Sequence, residues 1–253
     1  MKRTAWIGIA GLAAWAAGLS AEAAPRDAKA DVKAAAKKLQ DASGYSWVST
    51  PKSEGGGGGG QNRFQPGPTE GKLEKDGAVW VKSTQGDTSS EAYLKAGKVA
   101  VKTADGWKAG SEFQGGQAGG QGRRDPAAGM ARRLQNFKAP AVDAEGLVDK
   151  AGDLKDEGEG VFSGALTEEG AKALLTFGGR PGGNNNAPQI SDPKGTVKFW
   201  IKEGTLIKYE VNTQGKITFN NNDREINRTT TVEFKDVGST KVEVPEDAKK
   251  KLE

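Results

Sequence analysis

Cysteine and histidine are both absent from this chain of 253 residues. Without them the usual ligands of zinc, copper and haem are missing. So are triads that use histidine as base and proteases that use a cysteine nucleophile. Most enzyme classes are removed at once. Disulfides are excluded too, and a chain of this length buries enough surface to fold without them. Net charge is small: 37 Lys and Arg against 33 Asp and Glu leave +4. That is no nucleic-acid footprint, and it favours at most a loose attraction to an anionic membrane surface. Long apolar runs are lacking as well. The longest, Ala5 to Leu19, falls short of the roughly 20 residues that span a bilayer.

What is present begins with MKRTAWIGIAGLAAWAAGLSAEAA. Lys2 and Arg3 form a positive start, the apolar run follows, and Ala21-Glu22-Ala23 is a small-x-small cleavage site. Residues 1–23 therefore read as a signal peptide. Arg3 has no arginine beside it, so the twin-arginine route has no support. No cysteine follows the run, so lipid attachment there is excluded. The expectation is an exported protein of a bacterial periplasm or cell exterior.

Residues 24–253 read as one α+β domain. Asp27 to Ser43 places Val32, Ala35, Ala36 and Leu39 at helical spacing, with Gly44 as the stop. Tyr45 to Ser49 starts a strand. From Thr69 to Phe113, short alternating runs joined by turn residues predict antiparallel strands. Asp125 caps a helix with Pro126 at its first position and Met130, Leu134 and Phe137 on one side. Ala144 to Ala151 reads as a short helix and Asp156 to Leu166 as a strand. Thr167 caps the next helix, with Glu168 and Glu169 in its first turn and Ala171, Leu174 and Leu175 inward. The rest reads as strands, including GKITFN, TTTVEFKDVG and TKVEVP, with a last helix from Pro245. The predicted sheet is antiparallel, with roughly eight or more strands. Glycine-rich insertions near 53–68, 114–124 and 178–188 interrupt it.

Motifs of chemistry are few. Gly55, Gly57 and Gly60 match a phosphate-loop spacing trivially, without the strand-to-helix junction that such a loop needs. Asp149, Asp153, Asp156, Glu157 and Glu159 do not have calcium-loop offsets and read as solvated acids. Arg123, Arg124, Arg132 and Arg133 flank one helix and read as a solvated face, or as a surface for anionic lipid or a partner. Asn227-Arg228-Thr229 matches a glycosylation acceptor by chance. No catalytic residue, metal or cofactor is expected, and the chain is read as a non-enzyme.

The stretch TVKFWIKEGTLIKYEVNT, Thr196 to Thr213, raises a sharper question. It reads as a hairpin about Glu203-Gly204, pairing Ile201 with Leu206 and Trp200 with Ile207. One face then carries Val197, Phe199, Ile201 and Leu206. The other carries Trp200, Ile207, Tyr209 and Val211 among Lys198 and Lys202. Both faces are apolar, and a sheet needs only one to make a core. Trp47, Trp80, Trp107 and Trp200 also lie in or beside predicted strands. Such aromatics either fill a core beneath helices or line an incompletely covered pocket.

The segments YSWVST, the Asp76 to Val81 run, KVAVKTADGWK, GVFSGALTEEGAKALL, KGTVKFWIKEGTLIKYEV and TKVEVPEDAKKKLE follow one another in an order that resembles a known group. It is the LolA-like and LppX-like superfamily of bacterial periplasmic lipoprotein carriers and lipid-binding proteins. The resemblance covers roughly Ala28 to Leu252, apart from the glycine-rich insertions. It implies a strongly curved antiparallel half-barrel with helices packed on its concave face and hydrophobic ligands held between the two. One face of the Thr196 to Thr213 hairpin would look into that interior. Lipoprotein carriers have a functional arginine in an early strand. Arg63, the only arginine in the corresponding region, lies in a loop, so that role is not carried over.

The resemblance thus implies a non-catalytic protein binding a lipid or other hydrophobic ligand. Candidate lining residues are Trp47, Trp80, Trp107, Phe199, Trp200 and Tyr209, with Met130, Leu134 and Phe137 as a candidate lid. Contact with a membrane surface or an envelope protein would be transient, and no nucleic acid is involved. The alternative is a solid-cored envelope module binding a protein or polysaccharide.

Overall fold

The computed structural model describes residues 27–54, 67–75, 77–113, 125–176, 189–219 and 222–253. Residues 1–23, read as a signal peptide, and Asp76, Arg63, Arg123, Arg124 and most of the glycine-rich insertions lie outside these residues. Helix α1, Ala28–Asp41, starts where Asp27 accepts hydrogen bonds from the Lys29 and Ala30 amides. It buries Val32, Ala35, Ala36 and Leu39, as their spacing predicts. Gly44 does not stop it, since the chain already turns extended at Ala42. Gly44 instead opens β1, Gly44–Ser53, where a Cβ would lie 2.7 Å from the Leu73 carbonyl.

Strands β2 (Thr69–Glu74), β3 (Val79–Gln85), β4 (Thr88–Lys95), β5 (Lys98–Thr103) and β6 (Gly106–Ala109) continue outward as a meander. After a 3-10 turn at Gly110–Phe113 come α2 (Pro126–Gln135) and α3 (Pro140–Lys150). Asp125 caps α2 through the Ala127 amide, with Pro126 at its first position. Helix α3 begins before Ala144, because Pro140 supplies a preset first turn. The run Asp156 to Leu166 is two strands rather than one, β7 (Lys155–Gly158) and β8 (Val161–Ala165), folded at Glu159 and Gly160 with φ of 54° and 76°. Helix α4, Glu168–Leu175, follows with Thr167 as its cap. Three long strands then close the sheet, β9 (Gln189–Lys202), β10 (Thr205–Phe219) and β11 (Asn222–Lys235), before α5 (Glu246–Leu252).

All eleven strands form one open antiparallel sheet in the order β6-β5-β4-β3-β2-β1-β11-β10-β9-β8-β7. The first and last strands pair in its centre, Trp47 opposite Phe234. The edges β6 and β7 are consecutive in the chain yet at opposite ends of the sheet. Their connection must cross a face, and α2 and α3 are that crossing. The result is an α+β fold, a strongly curved half-barrel with α1 to α4 on its concave face.

The hairpin at Glu203-Gly204 turns as expected, with φ of 52° and 70° at its two central residues. Ile201 faces Leu206, but Trp200 faces Lys208 rather than Ile207. A β-bulge between Leu206 and Lys208 inserts Ile207 as an extra residue. Every later side chain of β10 is thereby moved to the other face. Tyr209 and Val211 accordingly lie inward, opposite Phe199 and Val197. The second face of this hairpin thus has less to cover than its sequence suggests. TKVEVP also differs: residues 240–244 join no ladder, and Val242 and Val244 instead pack across the convex face.

Candidate functional site

The concave face is graded by side-chain size. One row of paired positions runs Phe234, Trp47, Gly71, Val81, Ala92, Val101 from the centre toward β5. A second runs Phe162, Phe199, Tyr209, Val232 across β8 to β11. Large rings occupy the centre, and small residues lie beyond them. The Trp47 indole lies over Gly71, where a Cβ would meet it at 2.1 Å. Over the small residues α2 packs closely on β4 and β5. It buries Ala127, Met130, Ala131 and Leu134 there.

In the centre the rings meet one another. Trp47 stacks on Phe137 with centroids 5.9 Å apart. Tyr45 lies 5.9 Å from Trp47 and 5.5 Å from Phe234, and Tyr209 is 6.0 Å from Phe234. These rings span the space between the sheet and α3, whose main partners are α1 and α4. Helix α3 is tied to α1 by polar bonds: Gln40 donates to Glu145 at 3.0 Å, and Lys33 pairs with Asp149 at 2.5 Å. No such tie holds α2. Among the described residues, no side-chain hydrogen bond or ion pair joins it to another element.

One polar atom is stranded in this interior. Among the described residues the Tyr45 hydroxyl is buried without a hydrogen bond of full geometry, and the Ala141 backbone lies nearest to supplying one. Burial pushes its pKa up to about 12, with a smaller push from the nearby Asp143 carboxylate. Burial raises Tyr209 as well, again with Asp143 adding to it.

The six candidate lining residues divide between the faces. Trp47, Phe199 and Tyr209 point inward and are buried. Trp80, Trp107 and Trp200 lie on the convex face, so the six do not share one lining. Trp80 donates from Nε1 to Glu91 at 2.9 Å and packs with Trp107 beneath Val242, Val244 and α5. Trp200 is half-buried between the ammonium groups of Lys208 and Lys198, at 4.6 and 5.5 Å from its ring centroid. Strand alternation predicts Trp80 and Trp107 outward, but nothing in the sequence announces the second apolar layer above them. The candidate lid residues Met130, Leu134 and Phe137 all reach the core. Tyr45 and Phe234, missed in the sequence, complete the inward cluster. Alternation from Trp47 in YSWVST carries the signal for Tyr45.

Two surface clefts bear on the site. One of about 650 Å³ runs between the end of α1 and the hairpin tip, past Lys38, Ala42, Thr205 and Val237. The other, about 430 Å³, lies on the convex face among Lys72, Trp80, Glu91, Tyr93 and Lys241. Between the sheet and helices α1 to α4, the buried side chains form one contiguous cluster. No helix among the described residues is long and apolar enough to cross a membrane.

No protein-family model matches this sequence, and comparison with curated proteins finds no relative. Solved structures of similar fold include LprF from Mycobacterium bovis, with a TM-score of 0.46 and 11% identity over 87% of this chain and 97% of that one. Another is the Mycobacterium tuberculosis lipoprotein LppX, with a TM-score of 0.46 and 10% identity over 85% and 97%. The likeness is one of fold.

Proposed function

We propose that this is an exported, non-catalytic binding protein that takes up a lipid or other hydrophobic ligand between its sheet and its helices. Helix α2 and Phe137 would serve as a displaceable cover. The observation that carries this reading is the attachment of α2. Among the described residues it covers the apolar strip of Val81, Ala92, Val99 and Val101 with no side-chain hydrogen bond or ion pair to another element, beside a cluster of rings that includes the buried Tyr45 hydroxyl. A cover held without polar ties lifts at the cost of apolar contact only. An entering acyl chain replaces that contact, at roughly 0.8 kcal/mol per buried methylene. Because the buried side chains form one contiguous cluster in the closed form, uptake requires this movement.

Trp47 reports on the site, since the other tryptophans of the described chain face outward. In a variant of the chain from Ala24 onward carrying Trp80→Phe, Trp107→Phe and Trp200→Phe, a brominated fatty acid should quench Trp47 emission saturably. The complementary Trp47→Phe variant, which keeps the three outer indoles, should be quenched little. Equal quenching of both, or of neither, would contradict binding beneath α2.

The contiguous buried cluster favours a second reading, the solid-cored envelope module. Its natural site is the convex cleft about Trp80. Quenching of the outer indoles alone would move the assignment there.

A further inference from the structure

Strands β9, β10 and β11 are the longest of the sheet, and their far ends run past the helices. Helix α4 ends at Leu175, which packs against Gly215. Beyond that point nothing among the described helices covers the concave face. Alternation along β11 is unbroken in its pairing with both β1 and β10. Phe234 and Val232 point inward, so Thr230, Arg228, Ile226 and Arg224 do too. Pairing then places Thr213 and Ser53 beside Arg228, and Ile217, itself opposite Ile190, beside Arg224. At and beyond the level of Leu175 the strip carries Ile190, Ile217 and Ile226, each half-buried, and the exposed Arg224, with the half-buried Arg228 one step further in beside the buried Thr213.

Neither arginine has an ion pair or side-chain hydrogen bond among the described residues. The acids of this region lie elsewhere. Asp223 and Glu225 alternate onto the convex face, where Asp223 pairs with Lys216 at 2.5 Å. Glu54 accepts from Asn227 on that same face. Asp192 stands in the bulged part of β9, on the side of Lys216. The sequences 55–66 and 177–188 contain no acid. An apolar strip bearing two uncompensated guanidinium groups has the chemistry of a site for an anionic head attached to a hydrocarbon chain.

We infer that Arg224 and Arg228 hold the carboxylate or phosphate of an anionic amphiphile at the mouth of the concave face, its chain running inward along β10 and β11. This rests on the proposed binding function and specifies the ligand class. The path is continuous: from Arg228 the inward positions pass through Thr230 and Val232 to Phe234, with Thr213, Val211 and Tyr209 beside them. That stretch of strand is roughly 20 Å long, a length comparable to an extended long acyl chain.

The test compares palmitate, dioleoyl phosphatidate and uncharged hexadecanol by titration calorimetry. It uses the chain from Ala24 onward and its Arg224→Gln/Arg228→Gln variant. Gln keeps much of the side-chain volume at these accessible positions, and circular dichroism verifies folding. The variant should bind palmitate, phosphatidate or both roughly ten-fold or more weakly. Hexadecanol affinity should stay the same, and added salt should shrink the difference. Loss confined to palmitate assigns a fatty-acid carboxylate, and loss confined to phosphatidate assigns a phospholipid. Hexadecanol binding with no weakening for either anion would overturn the inference and leave the binding function standing. Equal weakening for all three ligands would overturn it too. If the parent chain binds none of them, the binding function fails, and this inference with it.

Discussion

A hydroxyl buried without a partner costs roughly 1–3 kcal/mol, and Tyr45 carries one. Tyr45→Phe removes that atom and leaves the ring contacts with Trp47 and Phe234 intact. It should therefore raise stability by about 1 kcal/mol, read as a higher urea midpoint with an unchanged slope. The same substitution has a signature in pH. Burial holds the folded-state pKa of Tyr45 at about 12, above its ordinary value of 10.0. The folded state therefore keeps a proton that the unfolded chain releases. The resulting stabilisation is fully present below pH 10 and is lost as pH rises toward about 12. Tyr45→Phe should remove part of this alkaline loss, and the raised Tyr209 should retain the rest. A loss of the same size in the variant would show that Tyr45 ionises no harder in the fold than in the open chain.

At the scale of elements, α2 and α1 differ in attachment although both are amphipathic. Helix α1 is fixed by Asp27 at its start, by Lys33 and Gln40 against α3, and by Lys38 against the Glu203 carbonyl at 2.8 Å. Among the described residues helix α2 is held by its cap and its apolar face, with no side-chain tie to another element. In hydrogen exchange α2 amides should open well before those of α1, and a bound hydrophobic ligand should slow α2 selectively. Exchange of the two helices at one common rate would contradict a separately moving cover.

The sequence carried much of this. Val32, Ala35, Ala36 and Leu39 marked the buried stripe of α1, and Asp125-Pro126 and Thr167 marked the starts of α2 and α4. Glu203-Gly204 gave the sharp hairpin turn. Ile207 was not legible as a bulge, because a bulge is set by how three paired strands twist together and leaves no distinctive residue in one of them. That single insertion moved Tyr209 and Val211 inward. Val242 and Val244 have the alternation of a strand but lie over the convex face and not alongside an edge of the sheet. They satisfy that pattern on the outer layer over Trp80 and Trp107 instead. Which tryptophan faced inward therefore depended on register and layer, and residue type could not decide it.

On the scale of the whole molecule, the sheet is a meander closed at its middle. Strand β1 finds β11 across nearly the whole chain, and the connection from β6 to β7 is forced over the concave face. Such a half-barrel presents one large apolar surface and covers it with separate helices. The cover is tied by side chains between α1 and α3, while among the described residues α2 has no such tie. The central claim is that this interior exchanges its own side chains for a hydrophobic ligand. Mass spectrometry of the protein purified from a bacterial periplasm without detergent, under native and then denaturing conditions, tests it most directly. The account predicts a reproducible lipid-sized adduct that disappears on denaturation, or its uptake from added palmitate by the initially bare protein. A bare mass that stays bare in the presence of fatty acids and phospholipids would contradict it.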